Sequence, residues 1–178
     1  WQERLRTTFD IRLAQYVTDA DTARTDFWNT HNQVVASLHT LRSDQDGRHE
    51  RLFESAPWDL LLVDEAHHLN ADEEGGPTLA YKLVERLVTE NRVGSMVFFT
   101  GTPHRGKDFG FLSLLRLLRP EVFDVRRSLK EQLPLLQEVM IRNNKQNVAD
   151  LEGRRLVRPP VVVSETYHYS EAEHRFYI

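Results

Sequence analysis

The chain has 178 residues, of which 40% are hydrophobic, so it is long enough for one domain with a core and too short for two complete domains. Its formal net charge of −4 means that any nucleic-acid contact has to come from a local patch or from a partner domain. The lack of cysteine excludes disulfides and thiolate metal sites, and the apolar runs are too short to span a membrane. This composition predicts a cytoplasmic protein without a membrane segment.

The first part of the chain alternates short strands with amphipathic helices. The pattern predicts a helix over "WQERLRTTF", a strand in "IRLAQYV" and a second strand in "QVVASL", residues 33 to 38. A short helix ends before Pro57, and the strand "DLLLVDEA" follows it.

The next segment predicts a helix, a strand and a further helix. "PTLAYKLVERLVTE" (77 to 90) places Pro77 in a first helical turn and repeats apolar residues on one face, namely Leu79, Leu83, Val84 and Leu87. "SMVFFTG" (95 to 101) is an apolar strand, and "FGFLSLLRLLRP" is a helix that ends at Pro120. Continuous apolar runs of this length are typical of strands that are buried on both faces. The predicted fold class is therefore α/β, with a parallel sheet flanked by helices.

Residues 121 to 178 differ in character from residues 1 to 120. They are richer in charge and are interrupted by Pro134, and they end in "VVVSETYHY", a predicted strand, and the amphipathic tail "SEAEHRFYI". The sequence therefore predicts part of a sheet domain over residues 1 to 120, followed by an irregular connector or subdomain over residues 121 to 178.

Two carboxylates stand directly after a predicted strand. In "WDLLLVDEAHHLN" (58 to 70), four apolar residues run into Asp64 and Glu65. Ligands of open parallel sheets bind outside the carboxyl ends of the strands. An Asp there can hold a nucleotide-bound Mg²⁺, and an adjacent Glu can orient or deprotonate an attacking water. The alternative is a pair of acids that cap the next helix or face solvent.

Several segments resemble one family in sequence. "VDEAHH" resembles the second motif of superfamily-two helicases, and "FFTGTPHRG" (98 to 106) resembles the third motif of the Swi/Snf branch. The resemblance is to its bacterial group of HepA-type RNA polymerase recycling ATPases and DrmD-like ATPases of DISARM phage defence. It extends over "VVASLHTLR", "FLSLLRLLRPEVF", "MIRNNKQNV" and "GRRLVRPPVVV", nearly the whole chain, and implies a partial RecA-like lobe of a P-loop NTPase.

The resemblance implies roles for residues that bind or respond to the nucleotide. Asp64 would coordinate Mg²⁺ through water, and Glu65 would be the hydrolytic base. His67 would link the nucleotide site to the third motif. The third motif would couple hydrolysis to movement of a second lobe. Its residues here are Thr100, Gly101 and Thr102.

DNA contacts are implied at four positions. Ser37 and Leu38 fall where the family contacts the DNA backbone, and a hydroxyl and a backbone N–H suit phosphate contacts. Arg142 and Lys145 match the first and last positions of the family's Arg-Arg-x-Lys segment, in which Asn143 replaces the second Arg.

One segment imitates a phosphate loop. "GTPHRGKD" places Gly101, four residues, Gly106 and Lys107 in the order of a Walker A motif, but Asp108 stands where Ser or Thr would bind Mg²⁺, and Pro103 lacks an N–H donor. The third motif explains these residues better. The chain contains no other sequence that resembles a Walker A motif. We therefore expect a Walker A segment upstream of Trp1 and a second RecA-like lobe to act as partners of this chain.

Three histidines raise the possibility of zinc. His67, His68 and His104 could be ligands of one ion, but the first two are adjacent and would point to opposite sides of an extended chain. This spacing does not favour a zinc site.

These patterns predict a fragment of an ATPase with ATP and Mg²⁺ as cofactors. The resemblance implies a longer protein that couples ATP hydrolysis to movement on double-stranded DNA, in phage defence or RNA polymerase recycling with protein partners. The fragment alone is expected to be inactive because it lacks a phosphate cradle. The alternatives are a DExH RNA helicase and a non-catalytic interaction module in which the acidic motif is structural.

Overall fold

The computed structural model describes residues 1–104, 106–142 and 163–177. The chain divides into two compact units, Trp1–Val139 and Met140–Ile178. The functional boundary proposed after residue 120 stays a prediction.

The first unit alternates strands and helices. Its strands are β1 (Ala14–Gln15), β2 (Val34–Val35), β3 (Trp58–Val63), β4 (Ala71–Asp72), β5 (Gly76–Pro77) and β6 (Val93–Phe98). Its helices are α1 (Gln2–Phe9), α2 (Phe27–Thr30), α3 (Leu38–Leu41), α4 (Arg48–Glu54), α5 (Leu79–Thr89), α6 (Asp108–Leu118), α7 (Leu129–Gln132) and α8 (Leu136–Val139).

The strands form pairs, two of them parallel. β1 pairs with β2, and β3 pairs with β6 in a register that places Leu61 opposite Met96 and Val63 opposite Phe98. β4 and β5 form an antiparallel hairpin between β3 and α5. The predicted α/β class with parallel strands flanked by helices is confirmed.

Helix α5 packs against two apolar clusters and so organises the core. Its residues Ala80, Tyr81 and Val84 lie in a cluster with the end of β3 and with α6. Its residues Leu83 and Leu87 lie in a second cluster with β1, α2 and α4. Burial of these side chains holds the acidic end of β3 between α5 and α6.

Helix α5 begins two residues later than predicted. Thr78 caps it, since its Oγ1 accepts the Tyr81 N–H at 3.2 Å. Pro77 is therefore not in the first turn but pairs with Ala71 in the β4–β5 hairpin. Leu79 was predicted on the buried face and is instead 55% exposed, because the core-facing side of the first turn is formed by Ala80 and Tyr81.

Both faces of the apolar strands were predicted to be buried, and this is wrong for β3 and β6. Leu60, Leu62 and Val97 are 51%, 43% and 41% exposed. Among the described residues, α5 and α6 pack only on the face that carries Leu61 and Met96. The opposite apolar face remains open to solvent.

One further predicted strand is shorter than expected, and another does not form over its described residues. "QVVASL" is extended only at Val34–Val35, because Ser37 begins α3 and its carbonyl accepts the N–H groups of Thr40 and Leu41. In "VVVSETYHY", residues 161 and 162 lie outside the described residues, and residues 163–169 form no strand.

The second unit ends in helix α9 (Glu171–Tyr177). Ser170 and Glu173 cap it reciprocally: the Glu173 N–H donates to Ser170 Oγ at 3.4 Å, and the Ser170 N–H donates to Glu173 Oε2 at 2.9 Å. The Tyr167 hydroxyl donates to the same Glu at 2.6 Å, which lowers the pKa of Glu173. These bonds account for the helix that the amphipathic tail predicts.

No helix within the described ranges is long and apolar enough to cross a membrane.

Candidate active site

Two loops meet at the carboxyl ends of β3 and β6. We call residues 64–68 the acidic turn and residues 99–107 the threonine loop. The Phe99 N–H donates to the Val63 carbonyl at 2.8 Å, and the Ala66 N–H donates to the Phe99 carbonyl at 2.9 Å. These two bonds extend the parallel ladder past both strand ends and fix the two loops to each other.

Asp64 is exposed, and both of its carboxylate oxygens accept a hydrogen bond. Oδ1 accepts the backbone N–H of Glu65 at 2.9 Å, and Oδ2 accepts the indole N–H of Trp1 at 2.8 Å. The contact with Trp1 has no signal in the sequence, because the two residues are 63 positions apart.

Glu65 has a left-handed backbone conformation, with φ 48° and ψ 45°. A residue with a β-carbon adopts this region at a cost of about 1–2 kcal/mol. Its side chain is 61% exposed, and its Oε2 lies 3.1 Å from Nδ1 of His67. The turn at this residue reverses the chain immediately after the strand, so that Glu65 points away from the core.

His67 connects the acidic turn to the threonine loop. Its Nδ1 lies 3.2 Å from Thr100 Oγ1, and the same oxygen accepts the backbone N–H of Thr102 at 3.2 Å. The His67 side chain is only 15% exposed. Polar contacts therefore run from Glu65 through His67 and Thr100 to Thr102.

The remaining predicted residue of the threonine loop is Gly101. It is exposed, and a β-carbon built there would meet nothing within 4 Å. The space above this residue is open, so close packing does not require glycine here.

The neighbouring histidines do not lie as predicted. The turn at residues 66–68 is a 3₁₀ turn and not an extended chain, so the rings of His67 and His68 lie on the same side, 4.4 Å apart. The third histidine, His104, contacts Asp108 Oδ1 at 2.9 Å. Within the described ranges no three His, Asp or Glu residues form a metal-binding group.

An ion pair connects the hairpin to the threonine loop. Lys107 Nζ donates to Asp72 Oδ2 at 2.6 Å, and this bond lowers the pKa of Asp72 and raises that of Lys107. The pair borders a cavity of about 200 Å³ beside His67. This volume is below the roughly 300 Å³ at which ligand pockets begin, so we do not place a nucleotide inside it.

The predicted DNA-contacting residues are spread over the chain. Ser37 is exposed at the start of α3 and its side chain makes no capping bond, whereas Leu38 packs partly into the core beside the acidic turn. Arg142 is exposed in the second unit. Lys145 lies outside the described residues.

Sequence comparison assigns the chain that carries this site to a family. The family model described as "SNF2-related domain" matches residues 1–177. The chain belongs to this family. The SNF2-related domain therefore comprises nearly all of the sequence, including the acidic turn and the threonine loop.

Relatives of this SNF2-related domain include bacterial proteins named RNA polymerase-associated protein RapA. The protein of Proteus mirabilis is 30% identical over 169 residues, which cover 88% of this chain and 16% of the relative. The protein of Erwinia tasmaniensis is 32% identical over 162 residues, which cover 84% of this chain and 16% of the relative. The protein of Yersinia pseudotuberculosis is 36% identical over 106 residues, which cover 59% and 10%. The chain thus spans about a sixth of the first two relatives.

The possible metal ligand of this SNF2-related domain, the Asp64 carboxylate, suits a metal ion that is held mainly by a nucleotide. Mg²⁺ in such sites uses one or two carboxylates and completes its shell with water and phosphate oxygens. Asp64 is an exposed carboxylate at a strand end, and each of its oxygens retains a lone pair beyond the bonds described above. Asp64 therefore fits a water-mediated contact to nucleotide-bound Mg²⁺.

Proposed function

We propose that this chain is the part of a first RecA-like lobe that carries the hydrolytic residues of an ATP-dependent motor. The motor couples ATP hydrolysis to movement on double-stranded DNA. The proposal rests on one observation: in a SNF2-related domain, two adjacent carboxylates follow β3, and the second of them, Glu65, is joined through His67 to Thr100 at the end of β6. This supports a site in which hydrolysis and loop position depend on each other.

Each residue has a distinct role in the proposed reaction. Bound Mg²⁺ would neutralise charge on the nucleotide phosphates, and Asp64 would hold it through water. Glu65 would orient the attacking water and accept its proton, for which its exposed carboxylate is suited. His67 would restrain Glu65 and transmit its position to Thr100 and Thr102. Gly101, which lies between these two threonines, would belong to the same coupling element.

DNA contact is proposed at the start of α3 and in the second unit. The Ser37 hydroxyl and the Leu38 N–H can bind a backbone phosphate without reading base sequence. Arg142 and Lys145 would add positive charge, which a chain of net charge −4 needs locally. Such contacts predict binding to duplex DNA of any sequence.

The setting that the relatives favour is transcription. Their name, RNA polymerase-associated protein, supports recycling of RNA polymerase in the bacterial cytoplasm over phage defence. The longer protein would supply the Walker A segment and the second RecA-like lobe. The chain alone is therefore expected to lack ATPase activity.

The replacement Glu65→Gln in the full-length protein tests the proposed base. It keeps the size of the side chain and removes its ability to accept a proton, so we expect kcat to fall by about 10²- to 10⁴-fold with little change in nucleotide binding. Glu73→Gln, an exposed acid in the turn of the hairpin, is the matched control and should retain activity. Wild-type turnover in Glu65→Gln would rule out this residue as the base.

A further inference from the structure

An aromatic residue outside the acidic turn contacts its first carboxylate. The Trp1 indole N–H donates to Asp64 Oδ2 at 2.8 Å. The Trp1 ring lies against Phe99, with the ring centroids 5.5 Å apart and the planes inclined by 47°. The indole therefore touches both loops of the candidate site, the acidic turn through its N–H and the threonine loop through its ring.

This contact determines how the carboxylate is oriented. Asp64 is exposed, and one of its oxygens is already held by the Glu65 N–H. That bond alone leaves the carboxylate free to rotate about its outer bond. A second bond to the other oxygen fixes the plane of the group and leaves one lone pair on each oxygen directed outward.

The indole is chemically suited to this task. Its N–H only donates, and it is neutral, so it restrains a carboxylate without neutralising it and without competing with a cation. A lysine or arginine at the same place would form an ion pair and reduce the attraction of the carboxylate for a metal.

We propose that Trp1 is a positioning residue that orients Asp64 toward nucleotide-bound Mg²⁺. The inference rests on the proposed function, because it needs a nucleotide at this site. Partners of metal-binding groups typically change metal affinity by about 10- to 100-fold when they are replaced. Since Asp64 would act through water, we expect an effect of about tenfold, the low end of that range.

The test is equilibrium binding of a fluorescent ATP analogue to the full-length protein, once with Mg²⁺ and once with EDTA. Trp1→Phe keeps an aromatic ring beside Phe99 and removes the indole N–H. We expect it to weaken binding about tenfold in Mg²⁺ and to leave binding in EDTA unchanged. In an Asp64→Asn background, the same change should have no further effect in Mg²⁺.

Trp28→Phe is the matched control. The Trp28 indole N–H also donates to a carboxylate, Asp21 Oδ2 at 3.3 Å, but in a buried network of the second core cluster. This variant should leave the ratio of the affinities in Mg²⁺ and EDTA unchanged.

The outcomes separate the two proposals. Equal weakening by Trp1→Phe in Mg²⁺ and EDTA, or no weakening at all, would overturn the positioning role while the proposed function stands. If the wild-type protein binds no nucleotide in either condition, the proposed function itself fails and the role of Trp1 fails with it.

Discussion

Glu65 has a positive φ although it carries a β-carbon. The other non-glycine residues with positive φ among those described are Asp10, Asp46 and Asn91, types that tolerate this region well. Glutamate does not share that tolerance, so the bonds around it have to compensate. The contact of Ala66 N–H with the Phe99 carbonyl directly follows the strained residue and restrains it. Strain of this kind clusters at functional sites, which agrees with the role proposed for Glu65.

Away from the site, Tyr16 belongs to a buried network of hydrogen bonds. Its hydroxyl donates to Asp21 Oδ2 at 2.9 Å, and Asp21 also accepts the Arg51 Nε–H at 2.6 Å. Burial, followed by the bond to Asp21, raises the pKa of Tyr16 to about 12. The protonated phenol is therefore the form that the fold stabilises.

The pH dependence of stability should report this tyrosine. Since the pKa is raised in the folded state, the stabilisation is complete below the unfolded pKa of about 10 and is lost as pH rises through 12. We expect the free energy of unfolding of the wild-type chain to fall by at most about 3 kcal/mol more than that of Tyr16→Phe over this window. Urea unfolding of both at pH 9, 10, 11 and 12 measures the difference. Identical pH profiles would contradict the assigned environment.

At the scale of elements, helix α6 approaches Asn70 and Ala71, which follow the acidic turn, at Gly110. A β-carbon there would lie 2.9 Å from Asn70 Oδ1 and 3.4 Å from the Ala71 carbonyl. Glycine in a helix costs about 1 kcal/mol relative to alanine. Here the missing side chain lets α6 pack against the segment that follows the acidic turn.

A double-mutant cycle tests this packing. Gly110→Ala should be more destabilising by about 1 kcal/mol in the presence of Asn70 than in an Asn70→Ala background, because only the first combination has the close contact. Urea unfolding of the four proteins gives the coupling energy. Additive effects would mean that Asn70 moves aside without cost and that the glycine has another reason.

The elements differ in how well the sequence predicts them. Helix α5 follows from the apolar spacing of Leu83, Val84 and Leu87, all of which are buried. The end of the "QVVASL" strand does not follow from periodicity, because it is decided by the backbone bonds that Ser37 accepts. Of the strand predicted over "VVVSETYHY", the described residues 163–169 are not in a strand, since apolar and aromatic residues alone do not supply a pairing strand.

The candidate site was predictable in part. The position of Asp64 and Glu65 at the end of β3 follows from the apolar run before them. The bonds of Trp1 to Asp64 and of Lys107 to Asp72 join residues far apart in sequence, and no local pattern indicates them. The roles of all these residues stay predictions.

At the scale of the whole molecule, the most informative feature is the open face of the β3–β6 sheet. Leu60, Leu62 and Val97 are exposed on it, whereas parallel sheets are normally covered on both faces. The chain also spans only 16% of its first relatives. The open face is therefore where the sheet of this chain departs from the covered parallel sheets of α/β proteins.

ATP hydrolysis by the full-length protein, with and without linear duplex DNA and beside the isolated chain, tests the central claim most directly. We expect duplex DNA to stimulate turnover by the full-length protein, and we expect no turnover by the chain alone, because the proposed Walker A segment would belong to the longer protein. Turnover that duplex DNA does not change would contradict a duplex motor. Turnover by the isolated chain would mean that "GTPHRGKD" itself holds the phosphates.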